Sequence, residues 1–188
     1  MLIKMNKPGR LFIISSPSGG GKSTLCSALL KEIPGLGYSI SYTTRLPRPE
    51  EQDGADYHFI TQAAFQNKIE KNEWAEWAEV HGNKYGTDSM KIDEMLKSGQ
   101  DVLFDIDVQG ARTLKEKYPT AILIFIAPPS LEALRKRLER RGTESAEAIE
   151  QRLNRAKLEI DASSFYDFII TNDDFDKAMI ELKQVIRE

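Results

Sequence analysis

At 188 residues, 40% apolar and 29% charged, the chain is long for one domain, short for two, and has the composition of an ordinary soluble protein. Its 26 basic and 29 acidic residues leave a net charge of −3, which gives no electrostatic footprint for nucleic acid. A lone cysteine, Cys26, argues against a disulfide framework or a cysteine-based metal site, and no apolar run is long enough for a membrane span or a secretory signal. A cytoplasmic setting with no membrane partner is expected.

The first element is an apolar run, Leu11–Ser15, too short for a core helix and ended by turn formers, which predicts a buried strand. Ser16, Pro17, Ser18, Gly19, Gly20 and Gly21 follow, a turn whose glycines leave the backbone amides unobstructed. Leu25, Leu29 and Ile33 then recur at helical spacing until Pro34-Gly35 stops the helix. Strand, glycine-rich turn and helix make a phosphate cradle, with loop amides and the positive end of the helix dipole aimed at one anion. Lys22 supplies a mobile charge for the outer phosphates, and Ser23, followed by Thr24, supplies a hydroxyl suited to Mg²⁺. The pattern G-x-x-x-x-G-K-[ST] fails only at its first position, where Ser16 replaces glycine. A nucleoside triphosphate site is expected; the plainer alternative is a glycine-rich turn beside a surface lysine.

Residues 39–97 differ in character. Two prolines hold Ser41-Tyr-Thr-Thr-Arg-Leu-Pro-Arg-Pro49 extended, Asp53-Gly54 turns, and 57–60 is strand-like. Phe65 and Ile69 mark a short helix, Trp74–Val80 reads as a strand, 82–86 as a loop, and Ile92, Met95 and Leu96 as a helix closed by Gly99. This stretch is expected to form a small β-rich lobe. Arg45 and Arg48, with Tyr57 and Tyr85, suit a phosphate monoester, because arginine grips an oxyanion through two parallel hydrogen bonds. Glu76 stands between Trp74 and Trp77. It is either an exposed strand residue in a charge-rich lobe or a partly buried carboxylate awaiting donors, such as the N1–H and 2-amino group of guanine.

Further apolar runs at 102–106, Ile122–Ala127 and Phe168–Thr171 are separated by helical patterns, so a parallel sheet flanked by helices is expected. Asp105 and Asp107 lie two apart near a strand end, where ligands bind in such sheets, and are expected to point the same way and to hold Mg²⁺ or a substrate. Leu131, Leu134 and Leu138, then Ile149, Leu153, Ala156 and Ile160, predict a helical hairpin rich in arginine. It is either a mobile cover over phosphates or a solvated charged face. A last helix carries Phe175, Ala178, Met179, Leu182, Val185 and Ile186 on one face, after Asn172, Asp173 and Asp174. His58 and His81 have no partner at metal-ligand spacing and read as incidental.

The cradle, the 41–49 segment, Gly82-Asn-Lys-Tyr-Gly86, Asp105-Ile-Asp-Val-Gln-Gly110, Arg141-Gly-Thr and Asn172-Asp-Asp174, in this order, resemble guanylate kinase over nearly the whole chain. The resemblance implies a P-loop core at 9–38, 98–129 and 161–188, a GMP-binding lobe at 39–97 and a lid at 130–160. It implies transfer of the ATP γ-phosphate to GMP or dGMP with Mg²⁺, by a monomer or homodimer. It places the GMP phosphate on Arg45, Arg48, Tyr57 and Tyr85, and the guanine on Ser41, Glu76, Thr87 and Asp107. Asp105 falls near the metal, Arg137, Arg141 and Arg152 face the phosphates, and Asn172 lies in the adenine-side loop. Val108 stands where many members have a larger residue. A non-catalytic relative typically lacks the cradle that Lys22, Ser23 and Asp105 preserve here; another P-loop phosphotransferase is a rival that Glu76 and Ser41 argue against.

Overall fold

The computed structural model describes residues 7–80, 82–140 and 145–188. In chain order the elements are β1 (Leu11–Ser15), α1 (Lys22–Glu32), β2 (Gly37–Tyr38), β3 (Tyr42–Thr43), β4 (His58–Phe59), α2 (Gln62–Glu70), β5 (Trp74–Val80), β6 (Asn83–Asp88) and α3 (Ser89–Lys97). There follow β7 (Val102–Asp105), α4 (Val108–Lys117), β8 (Ile122–Ala127), α5 (Leu131–Arg140), α6 (Ala146–Asp161), β9 (Phe168–Thr171) and α7 (Phe175–Arg187).

Five strands form a parallel sheet in the order β2-β7-β1-β8-β9. The β1 run reads as continuously apolar because both faces of the sheet are covered. Leu11 and Ile13 pack on one side with Phe104, Leu114 and Phe125; Phe12 and Ile14 pack on the other with Leu25, Leu29, Met179 and Leu182. The chain leaves β1 towards β7 and later crosses back to β8, so the carboxyl end of β1 is a topological switch point, where such sheets open a crevice.

The second sheet, β4-β3-β6-β5, is built on an aromatic centre: Phe65 stacks on Trp74 at 4.3 Å between ring centroids, and Tyr42 meets Trp74 edge-on at 5.4 Å. Of the loop expected at 82–86, only Gly82 lies in a turn, and residues 83–86 are part of β6. Its polar residues conceal a strand because pairing to β3 on one side and β5 on the other supplies the backbone partners that composition does not advertise. The core strand expected at 102–106 ends at Asp105. The two-residue β2 and β3 are too short to leave a periodicity. Helices α5 and α6 form the expected hairpin around Leu134, Leu138, Ile149, Leu153 and Ala156. The break at 141–144, with Arg141, lies outside the described residues, as does His81. Among the described residues no helix is long and apolar enough to cross a membrane.

Candidate active site

The loop from Ser16 to Gly21 joins β1 to α1 at the switch point. Gly19 and Gly21 adopt φ of 90° and 97°, which L side chains rarely tolerate. A Cβ on Gly21 would lie 2.2 Å from the Asn172 amide nitrogen, and one on Gly20 would lie 1.9 Å from Ser16 Oγ. Ser16 therefore occupies the departure from the motif without opening the loop, its hydroxyl donating to the Pro17 carbonyl at 3.1 Å. Gly20 N–H donates to the same carbonyl at 2.8 Å, and Lys22 Nζ donates to Ile106 O at 3.1 Å.

Asn172, buried at the end of β9, braces this loop from behind. Its amide donates to Gly20 O at 2.8 Å, its N–H donates to Ala127 O, and its carbonyl accepts from Arg137 Nη2 at 2.7 Å. Arg152 of α6 reaches Ser18 Oγ at 2.8 Å. A cleft of about 660 Å³ opens between the loop and α6, bordered also by Asp107, Arg155 and Glu159. Burial pushes the Glu159 carboxyl up, against the pull of its Arg155 partner at 3.2 Å. The sequence reading passed over Glu159 and its i,i+4 pairing with Arg155, although that spacing is itself a signal.

Strand alternation does not govern Asp105 and Asp107, which border different clefts. The strand stops at Asp105, and Asp107 becomes the N-cap of α4, one oxygen accepting from Gly110 N–H at 2.8 Å and the other lying 3.8 Å from Arg155. Asp105 instead borders a second cleft, of about 530 Å³, with Ser23, Tyr38, Ser41 and Tyr57. Tyr38 donates to its Oδ1 at 2.8 Å. Cys26 also borders this cleft, and burial pushes its thiol up to about 12, leaving it an inert core residue at ordinary pH.

In the lobe the expected phosphate residues gather partly. Tyr57 and Tyr85 meet edge-on at 5.9 Å, and the Arg45 guanidinium lies 5.6 Å from the Tyr57 ring centroid. Burial raises the Tyr57 phenol, so it stays protonated and able to donate. Arg48 is exposed. Glu51, which sequence reasoning missed, accepts from both terminal nitrogens of Arg45 at 2.9 and 2.7 Å. Its position in a loop beside two arginines was the available signal.

Glu76 is not an exposed strand residue. A register shift between Trp74 and Glu76 on β5 leaves the tryptophan, Ala75 and Glu76 all buried, and Glu76 faces Thr87 across the β5–β6 pair. Thr87 donates to Glu76 Oε1 at 2.8 Å. Burial, followed by the charge on Asp107, raises the Glu76 carboxyl to about 7 despite that bond.

A parallel sheet with a glycine-rich phosphate loop after its central strand defines the class: a P-loop nucleotide-binding protein. Residues 8–188 match the family model described as guanylate kinase. A guanylate kinase of Geobacter metallireducens is 50% identical over 182 residues, covering 97% of this chain and 90% of that one. That of Symbiobacterium thermophilum is 48% identical, covering 96% and 86%. The crystal structure of guanylate kinase from Anaplasma phagocytophilum superposes with a TM-score of 0.76 at 31% identity, over 97% of this chain and 87% of that one. The chain belongs to the guanylate kinase family.

Proposed function

We propose that this protein transfers the γ-phosphate of ATP to GMP, and to dGMP, giving ADP and the nucleoside diphosphate. The observation that carries the choice of base is Glu76: a buried carboxylate whose single threonine bond leaves its charge undercompensated. Guanine presents N1–H and a 2-amino group side by side, two donors that would relieve it; adenine offers an unprotonated N1 at the same edge. Ser41 and Asp107 complete the guanine site in this reading, and Arg45, Arg48, Tyr57 and Tyr85 receive the monophosphate.

A phosphate oxygen of GMP attacks the γ-phosphorus in line, with no covalent enzyme intermediate and no need for a general base. Catalysis is then positioning together with neutralisation of charge spreading onto the transferred group. Residues 16–24 hold the ATP phosphates through backbone amides, with Lys22, Arg137, Arg141 and Arg152 supplying positive charge. Asn172 takes part by holding the loop. The core comprises 9–38, 98–129 and 161–188, the GMP lobe 39–97, and the lid 130–160, whose closure excludes water. Ser23 and Asp105 border one cleft, a hydroxyl and a carboxylate that fit Mg²⁺, an ion that takes oxygen ligands and keeps the rest of its shell for water and phosphate. When bound, Mg²⁺ offsets the phosphate charge. The setting is cytoplasmic, the state a monomer or homodimer, and neither nucleic acid nor membrane is a partner.

A coupled assay of ADP release with GMP, AMP, CMP and UMP tests the assignment. Turnover is expected with GMP alone among the four; comparable turnover on AMP overturns it.

A further inference from the structure

Glu51 sits where the lobe would be expected to concentrate positive charge. Its Oε1 accepts from Arg45 Nη2 at 2.7 Å, and its Oε2 accepts from Arg45 Nη1 at 2.9 Å and from the Arg48 main-chain N–H at 2.8 Å. Its own N–H donates back to the Arg48 carbonyl at 3.0 Å, closing a ring with the turn that contains Pro47 and Pro49. The two side chains keep only 19% and 11% of their exposure, so this is not a loose surface pair. Arg45 Nη1 spends its second N–H on Leu46 O at 2.7 Å.

A guanidinium has five N–H groups and two edges that can each grip an oxyanion. Glu51 takes the Nη1–Nη2 edge. The Nε–H and the outer N–H of Nη2 form the other edge, and the guanidinium carbon lies 5.6 Å from the centroid of the Tyr57 ring, itself edge-on to Tyr85. Glu51 binds the Nη1–Nη2 edge and the main chain of the turn, and its contacts do not include the Nε–H edge.

We propose that Glu51 is the positioning residue of the monophosphate site, holding Arg45 by one edge and the Arg48 turn by its amide so that the other edge of Arg45 is presented to the phosphate. It rests on the reading of this lobe as the GMP site. The brace also trims the charge of the cluster: two arginines and one glutamate leave a single positive charge before substrate arrives. Hydrogen bonds from Arg45 and from the Arg48 amide hold the carboxyl down to about 2, so the brace is charged throughout the working pH range.

Titration calorimetry with GMP and with guanosine, on wild type, E51Q, R45A and R45A/E51Q, tests it. Freeing Arg45 makes binding bear the ordering of one long side chain, so E51Q should weaken GMP by about three- to tenfold. Guanosine affinity and the KM for ATP should stay as in wild type, and E51Q should cost less in the R45A background than in wild type, keeping only the share carried by the Arg48 turn. Tighter GMP binding by E51Q would make Glu51 a competitor of the phosphate and overturn the proposal. So would an unchanged GMP affinity, or a parallel loss of guanosine binding with a lowered melting temperature, which is the signature of a merely structural role. If wild type binds GMP no better than guanosine, the phosphate site itself is misassigned, and the proposal falls with it for a reason the wild-type arm alone reveals.

Discussion

In the proposed function, the phosphate cradle and the GMP lobe solve the same problem, holding an anionic nucleotide, with different materials. The cradle is mostly backbone: two left-handed glycines and a helix N-terminus, braced by one buried asparagine. The lobe is built of side chains, two of them already engaged with another protein group, Arg45 with Glu51 and Glu76 with Thr87. A backbone site carries partial charges that do not titrate and a shape set by chain geometry. A side-chain site gains selectivity for one base, at the cost of burying charge and of a protonation state that pH can change. If the contrast is sound, perturbing the cradle should lower turnover whatever the acceptor, and perturbing the lobe should change which acceptor is used.

The largest effect is expected from Lys22→Met. It removes the mobile charge nearest the transferred phosphoryl, so kcat should fall by roughly 10²-fold or more. Calorimetric affinity for GMP should barely change, because Lys22 borders the loop cleft and none of Arg45, Arg48, Tyr57 and Tyr85 does. Loss of GMP binding with surviving phosphoryl transfer would erase the division between the two sites.

Next comes Glu76→Gln, which in the proposed guanine site sets a donor against a guanine N–H, at a cost of about 1–3 kcal/mol. The loss in kcat/KM for GMP should be at least about tenfold. Inosine monophosphate keeps N1–H but lacks the 2-amino group, so its deficit against GMP should shrink in the mutant. An unchanged GMP-to-IMP ratio would remove Glu76 from base recognition.

The same residue predicts a pH profile. With the native carboxyl near 7 against an ordinary 4.5, the native state binds more protons than the unfolded chain between those values. Its contribution to stability therefore declines as pH rises through this window, reaching on the order of 3 kcal/mol of penalty above pH 7. Guanine capture needs the ionised form, so kcat/KM for GMP should be flat above pH 7 and drop about tenfold per unit below it. In Glu76→Gln the limb should vanish, and denaturant melts should show the mutant gaining on wild type between pH 5 and pH 8. A limb that persists in the mutant assigns it to another group.

What was legible in the sequence follows the same contrast. The cradle could be read because strand, turn and helix are contiguous, and three glycines before a lysine have few other uses. Of the four longer core strands, β1, β7 and β8 could be read because both their faces are covered, which leaves unbroken apolar runs, whereas β9 keeps an apolar run at the sheet edge with Phe168 and Ile169 exposed. The lobe was legible mainly through resemblance to a family: its residues are scattered from Ser41 to Asp107 and meet only after two sheets form. Its surroundings in the sequence favoured an exposed strand residue for Glu76, and the register shift on β5 leaves it buried instead. The strand β6 read as a loop because its stability comes from neighbours on both sides, and the alternation argument for Asp105 and Asp107 failed because a helix cap falls between strand and prediction. Glu51 left only its place beside two arginines, and an acid in a proline-rich loop looks like any solvated turn.

The smallest effect is also the one that best separates backbone from side-chain logic. Resemblance places Asn172 in the adenine-side loop, whereas its amide is spent on Gly20 O, its carbonyl accepts from Arg137, and it is buried. Asn172→Ala would leave the Gly20 carbonyl without that donor and open space behind Gly21. A bond of this kind is worth about 0.5–1.5 kcal/mol, so nucleotide affinity at the cradle should fall by about two- to tenfold. If Asn172 acts as a brace, the loss comes through the phosphates and must be independent of base. Competition by ADP, GDP and CDP against a fluorescent nucleotide at the cradle should then weaken by the same factor for all three. A loss confined to ADP would mean that the asparagine reads adenine, and that the cradle, like the lobe, depends on a side chain for its choice of partner.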